Sequence, residues 1–332
     1  MNEEQVNMIR ESSRNILVLN RRKHRDEEAD IRRSDLRSSS STVVNVANKL
    51  KTKSLISSSE LQTLKNGLMD DVMKIEVVLN THGALRGLVR ELSGHDVNKQ
   101  CAAAGCCCNL ALGDSKAGVA VSKAAGPYLV AALDSLTTEL ATTCAWTLGN
   151  LAGSGPKACE LLTAQGVVTK LTELLKSSNE EIREAVLYAL EHFAYQLKDD
   201  LRTEHLNKIL QSLPHVDIPA SSRLLFVLSC HNNFTTSTMT DEYLKKILDN
   251  LYLSIHKYLP NDSVHLLSLL RVFANMNSKD IYNTVLNHFL AANLIDNIKL
   301  LLGVDGICES LLWFLGNMYH CCGDHVFFTM FI

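Results

Sequence analysis

Apolar residues recur with the period of an α-helix over most of this chain. From residue 59 onward, Leu61, Leu64 and Leu68 form one apolar stripe, and Ser59 precedes them as a candidate helix N-cap. Further along, stretches rich in leucine alternate with short polar breaks and with stretches rich in alanine. Alanine lets neighbouring helices approach closely while leucine side chains fill the space between them. The pattern therefore predicts an all-α protein.

The helical pattern also repeats at a fixed interval. The pentapeptide Trp146-Thr147-Leu148-Gly149-Asn150 returns as Trp313-Phe314-Leu315-Gly316-Asn317, and Trp and Asn four residues apart share one face of a helix. The Asn position recurs every 41 or 42 residues, with one blurred unit before its fourth occurrence. Its occupants are Asn109, Asn150, His192, Asn275 and Asn317. Such a period is the signature of a repeat protein.

Glycines form a second marker in phase with the first. Gly83, Gly126 and Gly166 each precede a leucine-rich stretch, where we expect them to open a helix, and they lie 43 and 40 residues apart. Units of this kind stack into a right-handed superhelical solenoid with a long concave surface. We expect residues 58–332 to form such a solenoid of about six units. The apolar end Phe327–Ile332 replaces the usual polar capping unit, so we expect either that the array is incomplete there or that this face docks on a partner.

The N-terminal segment differs in charge from the rest of the chain. Residues 1–57 carry twelve Lys and Arg against eight Asp and Glu, a net charge of +4, and the remainder carries −7 of the total of −3. The segment has little apolar content and includes the run Ser38–Ser41. We expect residues 1–57 to be a basic, mostly disordered or conditionally helical arm.

Composition excludes several classes of function. The ten cysteines lack regular spacing and no signal peptide precedes them, which indicates reduced thiols and a cytoplasmic and nuclear location. The longest charge-free stretch, Leu140–Pro156, is too polar for a membrane span. His320–His325 lacks the paired cysteines of a zinc site. Without a phosphate loop or nucleophile motif, we expect neither an enzyme nor a cofactor, and no metal, nucleic-acid or membrane partner.

Three segments resemble a known family. Ala104–Ala111, Cys144–Ala152 and Gly166–Leu175 look like armadillo repeats, specifically those of importin-alpha nuclear-transport adaptors. The resemblance covers residues 21–195 well and 260–320 more weakly. It points to a divergent branch of the family, named for transmembrane and coiled-coil domains, although the sequence holds no span to match that name.

The resemblance implies a non-enzymatic adaptor for nuclear protein import. In the family, Asn amides hold the backbone of an extended basic cargo peptide, and Trp rings pack against its Lys and Arg stems. Carried over by position, the peptide-binding groove comprises Asn109, Trp146, Asn150, Tyr188, His192, Asn275, Trp313 and Asn317. The alternative is an armadillo scaffold for protein–protein interaction without transport activity, in which Trp146 is an ordinary packing residue.

The chain departs from the family pattern at four groove positions. Gly105, Tyr188 and Arg271 stand where the family has Trp, and Ser154 stands where it has an acidic residue that pairs with the key cargo lysine. Asp114 is the nearest acidic residue to Asn109 on its C-terminal side.

The basic arm resembles a shortened importin-beta-binding segment. It matches the family's basic, acidic and basic order, but Ser38–Ser41 replaces its last basic cluster. The resemblance implies that an importin-beta-type carrier binds Arg21, Arg22, Lys23, Arg25, Ile31, Arg32 and Arg33. A solvated charge run or a nuclear-localisation patch is the alternative interpretation of the same residues.

Overall fold

The computed structural model describes residues 40–70, 72–258, 263–276, 278–291 and 293–323. Every regular element in these ranges is a helix, which confirms the prediction of an all-α protein. The chain divides into two compact units, Met1–Asp200 and Leu201–Ile332. None of the helices in these ranges is long and apolar enough to cross a bilayer.

The first unit contains ten α-helices among its described residues. They are α1 (Ser40–Thr52), α2 (Ser58–Asp70), α3 (Val72–Asn80), α4 (Ala84–Leu92), α5 (Val97–Leu110), α6 (Ser115–Ala132), α7 (Thr138–Gly153), α8 (Pro156–Ala164), α9 (Val167–Leu174) and α10 (Glu180–Leu197). The described part of the second unit adds α11 (Thr203–Ser212), α12 (Ile218–Ser229), α13 (Asp241–His256), α14 (Ser263–Met276), α15 (Lys279–Ala291), α16 (Ile295–Leu301) and α17 (Cys308–Cys322).

The first unit is built from successive repeats that share one plan. A short helix, a second helix and a longer third helix follow one another in α3 to α5 and again in α8 to α10. The long helices α2, α5, α7 and α10 pack side by side in a row, which we call the inner row of this unit. No repeat buries its apolar face alone, and stacking of neighbours creates the core.

Two of the three marker glycines open helices as expected. Gly83 and Gly166 adopt φ angles of +93° and +83°, and they cap α4 and α9. Glycine suits these positions because a side chain is strained at positive φ. The prediction for Gly126 is wrong, because α6 runs through Gly126 and Pro127 without a break. There a Cβ atom would lie 2.1 Å from Oε1 of Gln165, so a larger residue would displace the end of that side chain.

Helix α1 belongs to the packed unit, although it falls within the predicted arm. Val43, Val46, Ala47 and Leu50 form an apolar stripe on α1 and are buried against α2 and α4. A Cβ atom on Gly87 would lie 2.3 Å from the carbonyl oxygen of Leu50, so backbones meet at this contact. The packed structure therefore begins before the predicted boundary at residue 58. The carrier-binding residues of the arm lie outside the described residues.

Helix α2 begins with a capping box. The hydroxyl of Ser57 accepts from the backbone N–H of Glu60 at 3.2 Å, and the Glu60 carboxylate accepts from the backbone N–H of Ser57 at 2.9 Å. The N-cap is therefore Ser57, two residues before the predicted Ser59. Lys49 of α1 forms an ion pair with Glu60 and thereby joins the two helices.

This capping box should make stability depend on pH. The hydrogen bonds from Lys49 and from the Ser57 N–H lower the pKa of Glu60 to about 2. A lowered native pKa stabilises the fold above the unfolded-state pKa of about 4.3, and the gain is lost as pH falls towards 2. We expect Glu60→Gln to cost about 1 kcal/mol at neutral pH and less at each step between pH 5 and pH 2.5. Urea unfolding measures this difference.

The matched control for this prediction is Glu242→Gln. Glu242 lies on α13 in an exposed ion pair with Lys246 at 3.0 Å, and exposed pairs contribute little to stability. A Glu60→Gln cost that stays constant over the whole pH range would contradict the proposed role of the carboxylate.

The second unit has its own inner row, formed by α12, α14 and α17. Its core contains an aromatic cluster in which Phe314 of α17 lies within 6.3 Å, between ring centroids, of Phe273, Tyr282 and Phe289. Phe314 is fully buried. This cluster joins α14, α15 and α17 into one body.

Candidate functional site

The inner row of the first unit presents an aromatic surface. The Trp146 ring on α7 and the Tyr188 ring on α10 have centroids 4.3 Å apart, and the His192 ring lies 4.6 Å from Tyr188 in an edge contact. Trp146 and Tyr188 are half-buried, whereas His192 is buried. Three of the predicted groove residues thus lie together in one cluster.

Gly149 explains how α7 and α10 come close enough for this contact. A Cβ atom on Gly149 would lie 2.8 Å from the Tyr188 ring and 2.9 Å from the Cα atom of Ala189. Any larger residue would push the two helices apart. Gly149 therefore sets the distance between α7 and α10.

Asn150 bridges three helices of the inner row. Its Oδ1 accepts from the Tyr188 hydroxyl at 2.7 Å, and its Nδ2 donates to the Cys108 sulfur at 3.2 Å. The side chain therefore connects α5, α7 and α10. Its carbonyl oxygen already has a partner in Tyr188, which stands where the resembled family has Trp.

The other Asn side chains also bond to the preceding repeat. Asn109 Nδ2 donates to the Lys65 carbonyl at 2.7 Å, and Asn317 Nδ2 donates to the Ala274 carbonyl at 2.9 Å. Asn275 Nδ2 donates to the Ser229 hydroxyl at 2.8 Å. Each amide has two N–H donors, and Asn109 and Asn317 use one of them in these bonds, whereas Asn275 Nδ2 also donates to the Cys230 sulfur at 3.5 Å. The Asn positions therefore hold neighbouring repeats together, a role that the sequence analysis did not assign.

Lys65 lies over the first Trp position. A Cβ atom on Gly105 would lie 2.6 Å from Cδ and 2.7 Å from Cε of Lys65. The aliphatic stem of a lysine from the chain itself thus covers the place where the family has a Trp ring. Residue spacing alone did not indicate this contact, because Lys65 belongs to the preceding repeat.

Three carboxylates lie along the aromatic surface. Glu139 precedes Trp146 by two helical turns, and Glu181 and Glu184 precede Tyr188 by two turns and one turn. All three side chains are exposed. Helical periodicity places them on the faces that carry the two rings. They give this end of the inner row a negative charge.

Ser154, which stands at the family's acidic position, and Asp114, the nearest acidic residue after Asn109, have other roles. The Ser154 hydroxyl donates to the Leu151 carbonyl at 2.7 Å, and the residue packs against Gly118, where a Cβ atom would lie 1.9 Å from that hydroxyl. Asp114 is the N-cap of α6 and accepts from the Ala117 N–H at 2.7 Å. Neither residue therefore supplies a carboxylate at the aromatic surface.

The predicted residues of the second unit lie on its inner row. Trp313, Asn317 and Asn275 are all half-buried. Arg271, at the Trp position of α14, donates from Nε to the Ser310 hydroxyl at 3.0 Å, and its guanidinium lies 5.3 Å from the Phe226 ring centroid. An arginine held by two neighbouring helices therefore replaces an aromatic ring at this position.

The cysteines of this chain are packing residues where they are buried. All ten are free thiols, and Cys106 and Cys107 are fully buried in α5. Burial raises the pKa of Cys107 to about 12, which disfavours the thiolate that chemistry would need. Among the described residues no group of three His, Cys, Asp or Glu side chains is arranged to hold a metal ion.

Comparison with known proteins identifies the fold. The HEAT-like repeat family model matches residues 138–193, and no curated protein matches the chain. An engineered protein solved by the Northeast Structural Genomics Consortium is similar, with 21% identity and a TM-score of 0.63 over 83% of this chain and 68% of that chain. At this identity the likeness establishes the fold alone.

Designed armadillo repeat proteins are also similar to this chain. One has 15% identity and a TM-score of 0.49, over 83% of this chain and 99% of that chain. Another, solved in complex with the peptide (KR)4, has 17% identity and a TM-score of 0.47, over 83% of this chain and 98% of that chain. Scores below 0.5 bear on neither the function nor the ligand of this chain. Each unit of the chain is thus a stack of helical repeats, and residues 138–193 match the HEAT-like repeat family.

Proposed function

We propose that this protein is a non-enzymatic adaptor that binds an extended basic segment of a partner on the inner row of its first unit. The observation that carries the proposal is the paired Trp146 and Tyr188 rings, half-buried and flanked by exposed carboxylates. Lysine and arginine stems pack against aromatic rings, and the ring face attracts the cation. The surface therefore suits a peptide with lysine or arginine side chains, whose apolar stems pack on the rings and whose positive charges lie near the carboxylates.

Charge supports a basic ligand over an acidic one at this surface. Glu139, Glu181 and Glu184 lie within two helical turns of the rings, and each can pair with a ligand cation. They replace the acidic position that Ser154 leaves empty, although they lie on the other side of the rings along the helices. We expect a ligand register that differs from the family pattern for this reason.

Lys65 sets one end of the proposed surface. The aliphatic stem of Lys65 covers Gly105. A ligand lysine can therefore pack against the Trp146 ring, but the preceding repeat offers no aromatic ring. The positive charge of Lys65 also opposes a basic ligand side chain there. The proposed ligand therefore contacts fewer repeats than in the resembled family.

The cellular role that fits this surface is nuclear protein import, as in the importin-alpha family and its divergent branch. In this proposal the protein moves between cytoplasm and nucleus, and the arm residues Arg21, Arg22, Lys23, Arg25, Ile31, Arg32 and Arg33 bind an importin-beta-type carrier. Capture of the carrier by the full chain, and its loss when Arg32 and Arg33 are both changed to Glu, tests the arm separately.

The second candidate function is that of a scaffold that binds its partner without transport. The hydrogen bonds by which the Asn side chains join repeats favour this second role, because they give those side chains a purpose without a cargo.

Binding of labelled octalysine to the full chain tests the proposed surface. We expect saturable binding at low ionic strength that weakens as salt rises. Trp146→Ala should weaken binding by about 0.5–2 kcal/mol, because a ring contact with a lysine stem and its cation is lost. Changing Glu139, Glu181 and Glu184 together to Gln should weaken it further without altering the core. Fluorescence anisotropy of the labelled peptide measures both effects.

Two controls complete the test. Octaglutamine has the same backbone without charge and should bind at least tenfold more weakly, since charge-assisted contacts are missing. Tyr128→Ala removes an aromatic side chain that is 45% exposed on α6, and it should leave octalysine binding unchanged. Binding that ignores both Trp146→Ala and the triple Gln variant would rule out this surface as the binding site.

A further inference from the structure

We propose that the inner row of the second unit contains a separate site for an acidic side chain, with Arg271 as its anion-binding group and an extended Asp- or Glu-containing peptide as its ligand. This site goes beyond the proposed function, which concerns a basic ligand on the first unit. It rests on residues of α12, α14 and α17 alone.

The guanidinium of Arg271 is fixed in place by two neighbouring helices. Its Nε donates to the Ser310 hydroxyl of α17 at 3.0 Å, and the Phe226 ring of α12 lies 5.3 Å away, centroid to guanidinium carbon. Arginine presents five N–H donors in a rigid planar fork, and this arrangement uses only the donor at Nε. The outer edge of the fork, which matches the two oxygens of a carboxylate, therefore keeps its donors for a ligand.

Arg271 has no carboxylate partner among the described residues. Glu309 of α17 acts on it electrostatically but does not come within ion-pair distance. Partial burial lowers the pKa of Arg271, yet the group stays positively charged at any physiological pH. A half-buried cation without a paired anion is costly for a fold, and a ligand carboxylate would relieve this cost.

The surroundings favour a peptide as the carrier of that carboxylate. Asn275 lies one helical turn after Arg271, and Trp313 lies one turn after Ser310, both half-buried on the inner row. An Asn amide can bond to a peptide backbone, and a Trp ring can pack against a side chain.

Binding of fluorescein-labelled octaglutamate to the full chain tests the proposal. We expect saturable binding at low ionic strength that falls at least tenfold in Arg271→Gln, because a charge-assisted two-point contact is lost. Arg271→Lys should bind with intermediate affinity, since lysine keeps the charge but loses the fork. Glu309→Gln should strengthen binding, because it removes the negative charge near the site. Octaglutamine, which has no charge, should bind far more weakly.

Variants of the other unit make this result independent of the proposed function. Trp146→Ala should weaken octalysine binding and leave octaglutamate binding unchanged. Arg271→Gln should weaken octaglutamate binding and leave octalysine binding unchanged. Thermal unfolding checks that Arg271→Gln is folded. If Arg271→Gln does not fold, the Glu309→Gln and Ser310→Ala variants test the site instead. Glu309→Gln should strengthen octaglutamate binding, and Ser310→Ala should weaken it.

Three results would overturn the acidic-ligand site. The first is no saturable binding of octaglutamate at low salt. The second is an octaglutamate affinity that ignores the Arg271, Glu309 and Ser310 variants. The third is Arg271-dependent binding of a phosphate-bearing oligothymidine without binding of octaglutamate, which would assign the arginine to nucleic acid.

Discussion

Phe314→Ala is expected to remove about 3–5 kcal/mol of unfolding free energy from the second unit. The Phe314 ring is fully buried and meets Phe273, Tyr282 and Phe289 at centroid distances of 6.2–6.3 Å. Truncation leaves a cavity that the remaining rings on α14 and α15 cannot easily fill, and it removes the aromatic contacts as well. Because typical domains are stable by about 5–15 kcal/mol, this one change should bring the unit close to unfolding.

Urea unfolding followed by tryptophan fluorescence measures this loss. Trp313 lies next to Phe314 and reports on the second unit, and a Trp146→Phe background removes the signal of the first unit. Leu312→Ala is the matched control on the same helix, because Leu312 is 55% exposed and its truncation should cost less than about 1 kcal/mol. Equal costs for the two variants would show that the cluster is not the core of this unit.

Gly149→Val is expected to destabilise the first unit by about 1–3 kcal/mol and to weaken octalysine binding as well. The Cβ atom of the new side chain would fall 2.8 Å from the Tyr188 ring and 2.9 Å from the Ala189 Cα atom. The backbone atom cannot move without shifting α10, so the helices must separate. Separation also strains the bond from Tyr188 to Asn150 and the contact between Tyr188 and Trp146. Unfolding in urea and peptide anisotropy measure the two effects.

Gly316→Val is a control matched in sequence as well as in chemistry. Gly316 occupies the same place in the second copy of the pentapeptide, but it is exposed and no described atom lies within 4 Å of its Cβ position. Valine is a slightly better helix former than glycine, so stability should stay equal or rise by a few tenths of a kcal/mol. If both glycine variants destabilise to the same degree, helix contact is not the reason for Gly149.

The repeat fold could be predicted from periodic patterns in the sequence. The period of the Asn positions and the leucine and alanine stripes depend on local helix geometry and on identical contacts between neighbours. Helix α1 was assigned to the arm because net charge outweighed its stripe of Val43, Val46, Ala47 and Leu50. Gly126 was wrongly predicted to open a helix, because a glycine inside a helix and a glycine that opens one look alike in sequence.

The site was less accessible to prediction than the fold. The contact between Trp146 and Tyr188 follows from the repeat phase, and the sequence analysis placed both residues in the groove. The position of Lys65 over Gly105 depends on the rotamer of a long side chain from another repeat, which spacing does not determine. The bonds of Asn109 and Asn150 to the preceding repeat likewise depend on the distance between helices, which is known only once the stack is built.

These Asn bonds also have a mechanical consequence for the first unit. Asn109 and Asn150 each connect positions 42 or 44 residues apart, so each bond closes a loop of about one repeat. Tension on the chain would load these bonds in turn, and each repeat that detached would release roughly 140–150 Å of extended chain. Because each repeat contacts only its neighbours, the unit should lengthen in steps of this size. Under load the unit would thus lengthen gradually instead of giving way in one step.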